Sequence, residues 1–274
     1  MIFRFPGAKT KLLPLLRPYI DKLVDGRKSF HDVFVGGGAV LLDTARRYPG
    51  LKLYANDADA GLVAFWKIVG GKSVEPLCDR ICSTKPSLAL FRAMRESKPT
   101  TPDELAFRFY FLNRTTFSGL SQSGPVGGKE QRSQYKVDER WLPEKSVREI
   151  AEAHKLLRGR LTLSCQPGRQ YVAHTRDEPL FLDPPYFSRG DSLYMEKMTF
   201  AEHLKLSKLL RKMRRWVLTL DDNPVVRQLY FWGCIHIIPA LYHIEANRPR
   251  RAGAQELIIT PRNYADLLLS KVPA

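Results

Sequence analysis

The sequence predicts an α/β protein built on a mostly parallel sheet. One observation is a strand, glycine loop, helix and strand in succession: "HDVFVGGG" (31–38), "AVLLDTARRYPG" (39–50) and "LKLYAND" (51–57). Another is the return of alternating strands and helices after residue 160. A helix that connects two strands in this way places them parallel in one sheet.

The remaining elements follow the same pattern. "ADAGLVAFWKIVGG" has helical spacing, and its closing glycines predict the helix end. After residue 160 the predicted order is strand "LTLSC", helix "GRQYVAHT", strand "PLFLD", a helix that a Thr199–Glu202 capping box opens, strand "WVLTLDD" and a helix from Asn223–Pro224. The last two strands, "CIHIIPALYHI" and "QELIITP", are predicted to pair antiparallel at the sheet edge.

Residues 72–160 differ in composition and are predicted to form an inserted, mostly helical domain. Thr101 and Glu104 form a capping box, with Pro102 at the first helical position. The helix that they open leads into "SGLSQSGPVGGKEQRSQYKVDERW", which is rich in Gly, Ser, Gln, Lys and Arg. Residues 1–71 and 161–274 then form the sheet domain.

Charge and hydropathy limit the class of partner. The chain has 274 residues, with 44 Lys and Arg against 28 Asp and Glu, and a formal net charge of +16. This excess predicts a polyanionic partner, nucleic acid first and a membrane surface second. There is no apolar run of membrane-spanning length and no signal-peptide pattern, which predicts a cytoplasmic protein without a membrane partner.

The cysteines give no metal pattern. Cys78 and Cys82 lie four apart, but no second close pair or nearby His completes a zinc site. Cys165 and Cys234 stand alone, so thiols in a reducing compartment and no metal are expected. None of them follows a proline, so the Pro-Cys nucleophile of cytosine-ring methylases is absent.

Two strand ends carry candidate binding groups. The glycines of "FVGGGAV" let the backbone approach a ligand, although the full G-x-G-x-x-G fingerprint is absent. Asp57, at the next strand's end, suits the hydroxyls of a ribose, or else caps the following helix. "FPGAKTKL" (5–12) lacks the spacing of a phosphate-binding P-loop, which disfavours a nucleotide-hydrolysing enzyme.

The stretch "PLFLDPPY" (179–186) places a carboxylate, Asp183, at the end of a buried strand and then fixes the backbone with two prolines. Together with "FPGAK" (5–9), the glycine loop and "FLNRTTFSGL" (111–120), it stands in a diagnostic order. In these motifs the chain resembles the Dam-type, alpha-group DNA adenine N6-methyltransferases over nearly its whole length.

The resemblance implies a Rossmann-like, S-adenosylmethionine-dependent methyltransferase sheet whose insert, 72–160, recognises DNA. Lys9 would contact the methionine carboxylate, and Asp57 would bind the ribose. The implied cofactor-binding residues are Phe5, Gly7, Lys9, Phe34, Gly36, Gly38, Asp57 and Asp183. The implied catalytic residues are Asp183, Pro184, Pro185 and Tyr186.

The chemistry of amino methylation explains why these residues are needed. The lone pair of an adenine 6-amino group is delocalised into the ring. Hydrogen bonds from this amino group to Asp183 and to the Pro184 carbonyl would draw its nitrogen toward tetrahedral geometry. Tyr186 would stack on a base flipped out of the duplex, with Phe187 and Tyr194 as further walls or as core residues.

The partner implied is double-stranded DNA. Gln and Arg read base edges, and Lys and Arg hold phosphates. The candidates are Asn113, Arg114, Gln122, Ser123, Lys129, Arg132, Gln134, Lys136, Arg248, Arg250 and Arg251, although Asn113 and Arg114 could instead brace the recognition hairpin.

Alternative functions are consistent with the same fold and motifs. The acceptor could be the 4-amino group of cytosine in DNA or adenine in RNA, and a relative that has lost catalysis would bind DNA only. We expect a monomeric, bacterial or phage-encoded enzyme with a restriction–modification, phage or housekeeping role.

Overall fold

The computed structural model describes residues 2–3, 9–119, 123–186, 198–239 and 255–264. Its strands form a seven-stranded sheet in the order β3-β2-β1-β4-β5-β7-β6. They are β1 Ser29–Asp32, β2 Lys52–Asp57, β3 Leu161–Cys165, β4 Leu180–Leu182, β5 Trp216–Asp221, β6 Cys234–Pro239 and β7 Gln255–Thr260.

Strand directions confirm the mostly parallel sheet. Strand β1 pairs in parallel with β2 on one side and β4 on the other, and β4 pairs in parallel with β5. Strand β7 runs antiparallel between β5 and β6, so the predicted antiparallel pair is confirmed, with β6 at the edge. The carboxyl ends of β1, β2, β4 and β5 consequently lie at the same edge, where open α/β sheets bind ligands.

The first predicted strand ends earlier than expected, at Asp32. Backbone pairing nevertheless continues beyond it, because Val33 N–H donates to Phe181 O (2.9 Å) and Val35 N–H to Asn56 O (2.9 Å). The glycine loop therefore starts from a backbone that β4 and β2 hold on both sides.

Helices occupy the predicted segments between the strands and most of residues 72–160. They are α1 Leu13–Val24, α2 Ala39–Arg47, α3 Ala60–Val69, α4 Glu75–Ser83, α5 Leu88–Glu96, α6 Pro102–Thr115, α7 Pro143–Leu157, α8 Gly168–His174, α9 Phe200–Leu210 and α10 Pro224–Leu229. Short 3-10 turns cover Lys9–Lys11 and Phe117–Gly119.

The predicted helix caps are confirmed. Thr101 and Glu104 form a reciprocal capping box at the start of α6, and Thr199 and Glu202 do the same at α9. The Asn223 side chain accepts from Val225 N–H at the start of α10 (2.9 Å). Each cap satisfies backbone donors that a helix leaves unpaired, which is why these starts can be read from local sequence.

The described residues fall into two compact units. One is drawn from Met1–Ala8, Gly36–Pro49 and Asp57–Cys165, and the other from Lys9–Val35, Gly50–Asn56 and Gln166–Ala274. In the first, α3 packs against α6. The division of the chain at residues 72 and 160 stays a prediction.

The second unit has a core built on β4 and β5. All residues of these two strands are buried, and Leu182, Trp216 and Leu218 are fully enclosed. Residues that follow β4 are therefore anchored to a fully buried part of the unit.

Candidate functional site

Asp183 is the first residue after β4, as predicted. Its side chain is 22% exposed, so it lies at the margin of the core. The hydroxyl of Thr219, on the neighbouring strand β5, donates to Asp183 Oδ1 at 2.8 Å and lies 3.3 Å from Leu182 O. Thr219 thereby fixes one oxygen of the carboxylate, a role that no sequence pattern indicated.

Lys9 is buried, and its ammonium group lies beside the "DPPY" segment. Its Nζ is 2.7 Å from Asp183 Oδ1 and donates to Tyr186 Oη at 2.7 Å. The same nitrogen lies 4.8 Å from the centre of the Tyr186 ring. The resemblance had placed Lys9 on the methionine carboxylate of the cofactor. The geometry places it on the predicted catalytic residues.

Tyr186 is also buried, with 7% of its surface exposed. Its hydroxyl accepts from Lys9 and donates to Oε1 of Glu256, on β7, at 2.9 Å. Asp183, Lys9, Tyr186, Thr219 and Glu256 form one hydrogen-bonded group, which we call the DPPY cluster.

The two carboxylate oxygens of Asp183 have different contacts within the DPPY cluster. Among the residues that the structure describes, the contacts of this carboxylate fall on Oδ1, from Lys9 and Thr219. The other oxygen, Oδ2, takes no part in these contacts. The carboxylate is therefore held in one orientation, as electrostatic preorganisation requires of a catalytic group.

His203, on α9, lies close to the proline pair and was not foreseen from the sequence. The residue is fully buried. Burial lowers the pKa of His203, and the nearby backbone of Pro185 and the charges of Asp221 and Glu202 partly offset the shift.

The glycine loop and Asp57 meet in the first unit. Gly36 N–H donates to Asp57 Oδ2 at 3.1 Å, and Asp59 N–H donates to Oδ1 at 3.1 Å. Asp59, not Asp57, caps α3, because its side chain accepts from Gly61 and Leu62. The capping alternative for Asp57 is therefore wrong, and its carboxylate ties the glycine loop to the start of α3, while its ribose-binding role stays a prediction.

Burial raises the pKa of Asp57 to about 6, against the opposing effect of the backbone donors Asp59 and Gly36. The carboxylate therefore lacks a counter-charge strong enough to offset its desolvation. Hydroxyl donors of a ribose would stabilise the ionised form, so the residue fits its predicted role.

Gly38 must be glycine for two reasons. Its φ is +71°, a left-handed conformation at the start of α2. A Cβ at this position would lie 2.5 Å from Cζ2 of Trp66, whose Nε1–H donates to Gly36 O at 3.0 Å. Trp66 therefore shapes the glycine loop from α3.

Phe34 and Asn56 complete the strand ends in the second unit. The Phe34 ring packs on Gly168, where a Cβ would lie 2.3 Å from the ring. Asn56 is fully buried, and its Nδ2 donates to Val33 O (3.1 Å) and Gln166 O (2.9 Å). Sequence reasoning missed Asn56, although a buried amide at a strand end often ties neighbouring chain segments.

Asn113 and Arg114, candidates for DNA contact, are buried at the end of α6. The Asn113 amide donates to Gly119 O at 2.8 Å, and the Arg114 guanidinium donates to Arg140 O at 3.0 and 2.7 Å. Both side chains brace the segment that follows α6, which supports the alternative role considered for them.

That segment, described at residues 116–119 and 123–140, has its own framework, and we call it the recognition loop. Phe117 N–H donates to Gly124 O and Val126 N–H to Thr115 O, a short antiparallel pairing. Gln131 then holds the next turn: its amide donates to Val126 O and Gly128 O at 2.7 Å each, and its oxygen accepts from Val137 N–H at 2.8 Å.

The predicted DNA-contact residues of the recognition loop face solvent to different degrees. Lys129, Arg132, Gln134 and Lys136 are exposed, and Ser123 is half-buried. Arg132 pairs with Glu130 at 2.8 Å, Lys136 donates to Gln131 O, and Arg95 donates to Ser123 O. Further predicted site residues lie outside the described ranges: Phe5, Gly7, Gln122, Phe187, Tyr194, Arg248, Arg250 and Arg251.

A separate polar cavity of about 490 Å³ lies in the second unit, lined by residues that include His31, Tyr54, Tyr171 and Glu178. Burial lowers the pKa of His31 to about 4, so its ring is neutral at physiological pH. Predicted site residues do not line this cavity.

Two other features, a metal-binding group and a membrane-spanning helix, are not found within the described ranges. No group of three or more His, Cys, Asp or Glu side chains could hold a metal ion. No helix there is long and apolar enough to cross a membrane. The cysteines are free thiols, of which Cys78 is buried.

A Rossmann-like sheet with a glycine loop, an acid at the end of β2 and a "DPPY" segment after β4 defines the class of amino-methylating transferases. Residues 5–244 match the family model of the D12 class N6 adenine-specific DNA methyltransferases. The chain belongs to this family, and it is an S-adenosylmethionine-dependent DNA adenine-N6 methyltransferase.

Curated relatives agree with this assignment. The chain is 24% identical over 240 residues to the Type II methyltransferase M.CviBI of Paramecium bursaria Chlorella virus NC1A, covering 86% of this chain and 87% of that protein. It is 25% identical over 236 residues to the Type II methyltransferase M.MjaIII of Methanocaldococcus jannaschii, covering 77% and 78%.

Proposed function

We propose that this chain is a site-specific modification enzyme of type II kind, which methylates N6 of an adenine flipped out of double-stranded DNA. The orientation of Asp183 carries the proposal: Lys9 and Thr219 occupy Oδ1, and Oδ2 is left for the amino group. The family membership and the names of both relatives support it.

Each residue of the "DPPY" segment has its own role in the methyl transfer. Asp183 Oδ2 accepts one N–H of the adenine amino group, and the carbonyl of Pro184 accepts the other. These bonds shift the nitrogen lone pair out of conjugation, so that it can attack in line. Tyr186 contributes a ring face to the base, and the ion pair with Lys9 holds the Asp183 carboxylate in its orientation.

Asp57 and the glycine loop hold the methyl donor. S-adenosylmethionine, when bound, supplies an electrophilic methyl group on a sulfonium. The half-buried carboxylate of Asp57 has hydroxyl-accepting oxygens and a raised pKa, both of which suit a ribose. Gly36 and Gly38 keep the adjoining backbone bare of side chains.

The recognition loop supplies the DNA contacts. Its exposed Lys129, Arg132, Gln134 and Lys136 have the hydrogen-bonding groups that bind phosphates and base edges. Gln131, Asn113 and Arg114 hold the backbone beneath them.

The experiment is mass spectrometry of nucleosides from unmethylated duplex DNA treated with the protein and S-adenosylmethionine. We expect N6-methyladenine, none with Asp183→Ala, and a fixed sequence around the methylated adenines when they are mapped. N4-methylcytosine in place of N6-methyladenine, or binding without any methylated product, would contradict the proposal.

A further inference from the structure

Glu256, on β7, is fully buried. It directly precedes three apolar residues of the same strand, Leu257–Ile259. Burying a charged carboxylate is costly, and apolar replacements at such positions are often neutral or stabilising. A carboxylate inside the core of the second unit is therefore weak evidence for a stabilising role, and its contacts indicate another role.

The contacts of Glu256 lead to the predicted catalytic carboxylate. Its Oε1 accepts from Tyr186 Oη–H at 2.9 Å, Tyr186 Oη accepts from Lys9 Nζ at 2.7 Å, and Lys9 Nζ lies 2.7 Å from Asp183 Oδ1. Four side chains thus form a continuous path across the DPPY cluster.

Donor and acceptor roles along this path follow from chemistry. A lysine ammonium can only donate, so Tyr186 must offer Lys9 a lone pair. The phenol proton then has to point away from Lys9, and Glu256 is the group that accepts it. A carboxylate at 256 therefore fixes the hydroxyl orientation that Lys9 requires.

We propose that Glu256 is a positioning residue for methyl transfer, which acts through Tyr186 to hold Lys9 against Oδ1 of Asp183. This inference rests on the proposed function, because it concerns the same reaction. With Lys9 held, Oδ2 keeps its orientation toward the amino group. Glu256 itself touches neither base nor cofactor in this scheme.

The first test is Glu256→Gln, which keeps the size of the side chain but removes its charge and adds competing N–H donors. We expect kcat to fall about tenfold or more, the size of a lost charge-assisted hydrogen bond. We expect the KM for DNA and the Kd for S-adenosylmethionine to change less than about twofold. Glu152→Gln, at an exposed position of α7, is the matched control and should leave all three unchanged.

A double-mutant cycle distinguishes positioning from a general packing effect. Tyr186→Phe removes the hydroxyl and so cuts the path at its centre. In the Tyr186→Phe background, Glu256→Gln should lower kcat less than about twofold further, because the path no longer exists. Full multiplication of the two effects would overturn the inference.

Three outcomes separate this inference from the proposed function. If the wild-type protein makes no N6-methyladenine, the proposed function fails. If the wild type methylates and Glu256→Gln matches its kcat, this inference alone fails. Should Glu256→Gln not fold, Tyr186→Phe tests the same path, and a kcat equal to that of the wild type would refute it.

Discussion

Lys9 and Asp183 lie far apart in the sequence and form an ion pair, with Nζ 2.7 Å from Oδ1. Lys9 is almost fully enclosed, and Asp183 retains contact with solvent. The ammonium group of Lys9 and the hydroxyl of Thr219 both contact Oδ1, so the contacts described for this carboxylate leave Oδ2 to the amino group in the proposed reaction. The pairing brings the amino-terminal motif of the chain against the "DPPY" segment.

Lys9→Met tests which partner this lysine serves. If Lys9 acts on Asp183, kcat should fall about tenfold or more, since a charge-assisted hydrogen bond is lost, and the Kd for S-adenosylmethionine should change little. Titration calorimetry and single-turnover methylation measure the two quantities. Lys11→Met, exposed in the same 3-10 turn, is the control. A large rise in Kd with kcat preserved would favour the methionine carboxylate instead.

The raised pKa of Asp57 predicts that cofactor affinity depends on pH. Burial raises this pKa to about 6, so the carboxyl group is largely protonated at pH 5 and ionised at pH 8. Ribose hydroxyls donate to the ionised form, so binding is coupled to proton release and the Kd should fall as pH rises through about 6.

Calorimetry with S-adenosylhomocysteine between pH 5 and 8 measures this dependence. Asp57→Asn, which cannot titrate, should bind more weakly and lose the pH dependence that Asp57 contributes. The same pH dependence in both proteins would show that another group is responsible.

Gly38→Ala should destabilise the protein by about 2–4 kcal/mol, because it combines a left-handed φ with a Cβ that collides with Trp66. Gly50→Ala is the matched control: a Cβ there meets no atom within 4 Å, so we expect a change within about 0.5 kcal/mol. Urea denaturation without cofactor gives both values. Equal stabilities of the two variants would mean that the loop relaxes around Trp66.

The sequence predicted the elements whose determinants are local. The capping boxes at Thr101 and Thr199 need only residues three positions apart, and both appear in the structure. The strand before Asp183 was readable because a short apolar run meets two prolines. Such signals lie within a few residues of the element that they define.

The partners of the site could not be read in the same way. Thr219 contacts Asp183, and Glu256 contacts Tyr186, because β4, β5 and β7 are consecutive strands of the sheet. No local sequence pattern predicts this strand order. Asn113 and Arg114 were candidates for DNA contact because they stand in "FLNRTTFSGL", just before the predicted recognition hairpin. Both are instead buried against backbone carbonyls, which depends on how the chain after α6 folds back.

Gln131→Ala should loosen the recognition loop without unfolding the protein. The change removes the acceptor for Val137 N–H and the donor to Val126 O and Gly128 O. We expect faster hydrogen exchange at the Val137 amide and weaker discrimination between target and non-target DNA, with the melting temperature nearly unchanged. Gln134→Ala, exposed nearby, should not alter the exchange rate. Protection at Val137 equal to that of the wild type would contradict this role for Gln131.

Lys129→Ala should weaken DNA binding through the phosphates. A lysine that neutralises one phosphate releases about one counterion, so its loss should reduce the slope of log K against log salt by about 1. Affinity for target and non-target duplexes should fall by similar factors, because a phosphate contact carries no sequence information. Lys98→Ala, exposed outside the recognition loop, should leave the slope unchanged. Fluorescence anisotropy at several salt concentrations makes the comparison, and equal slopes for Lys129→Ala and the wild type would remove Lys129 from the DNA interface.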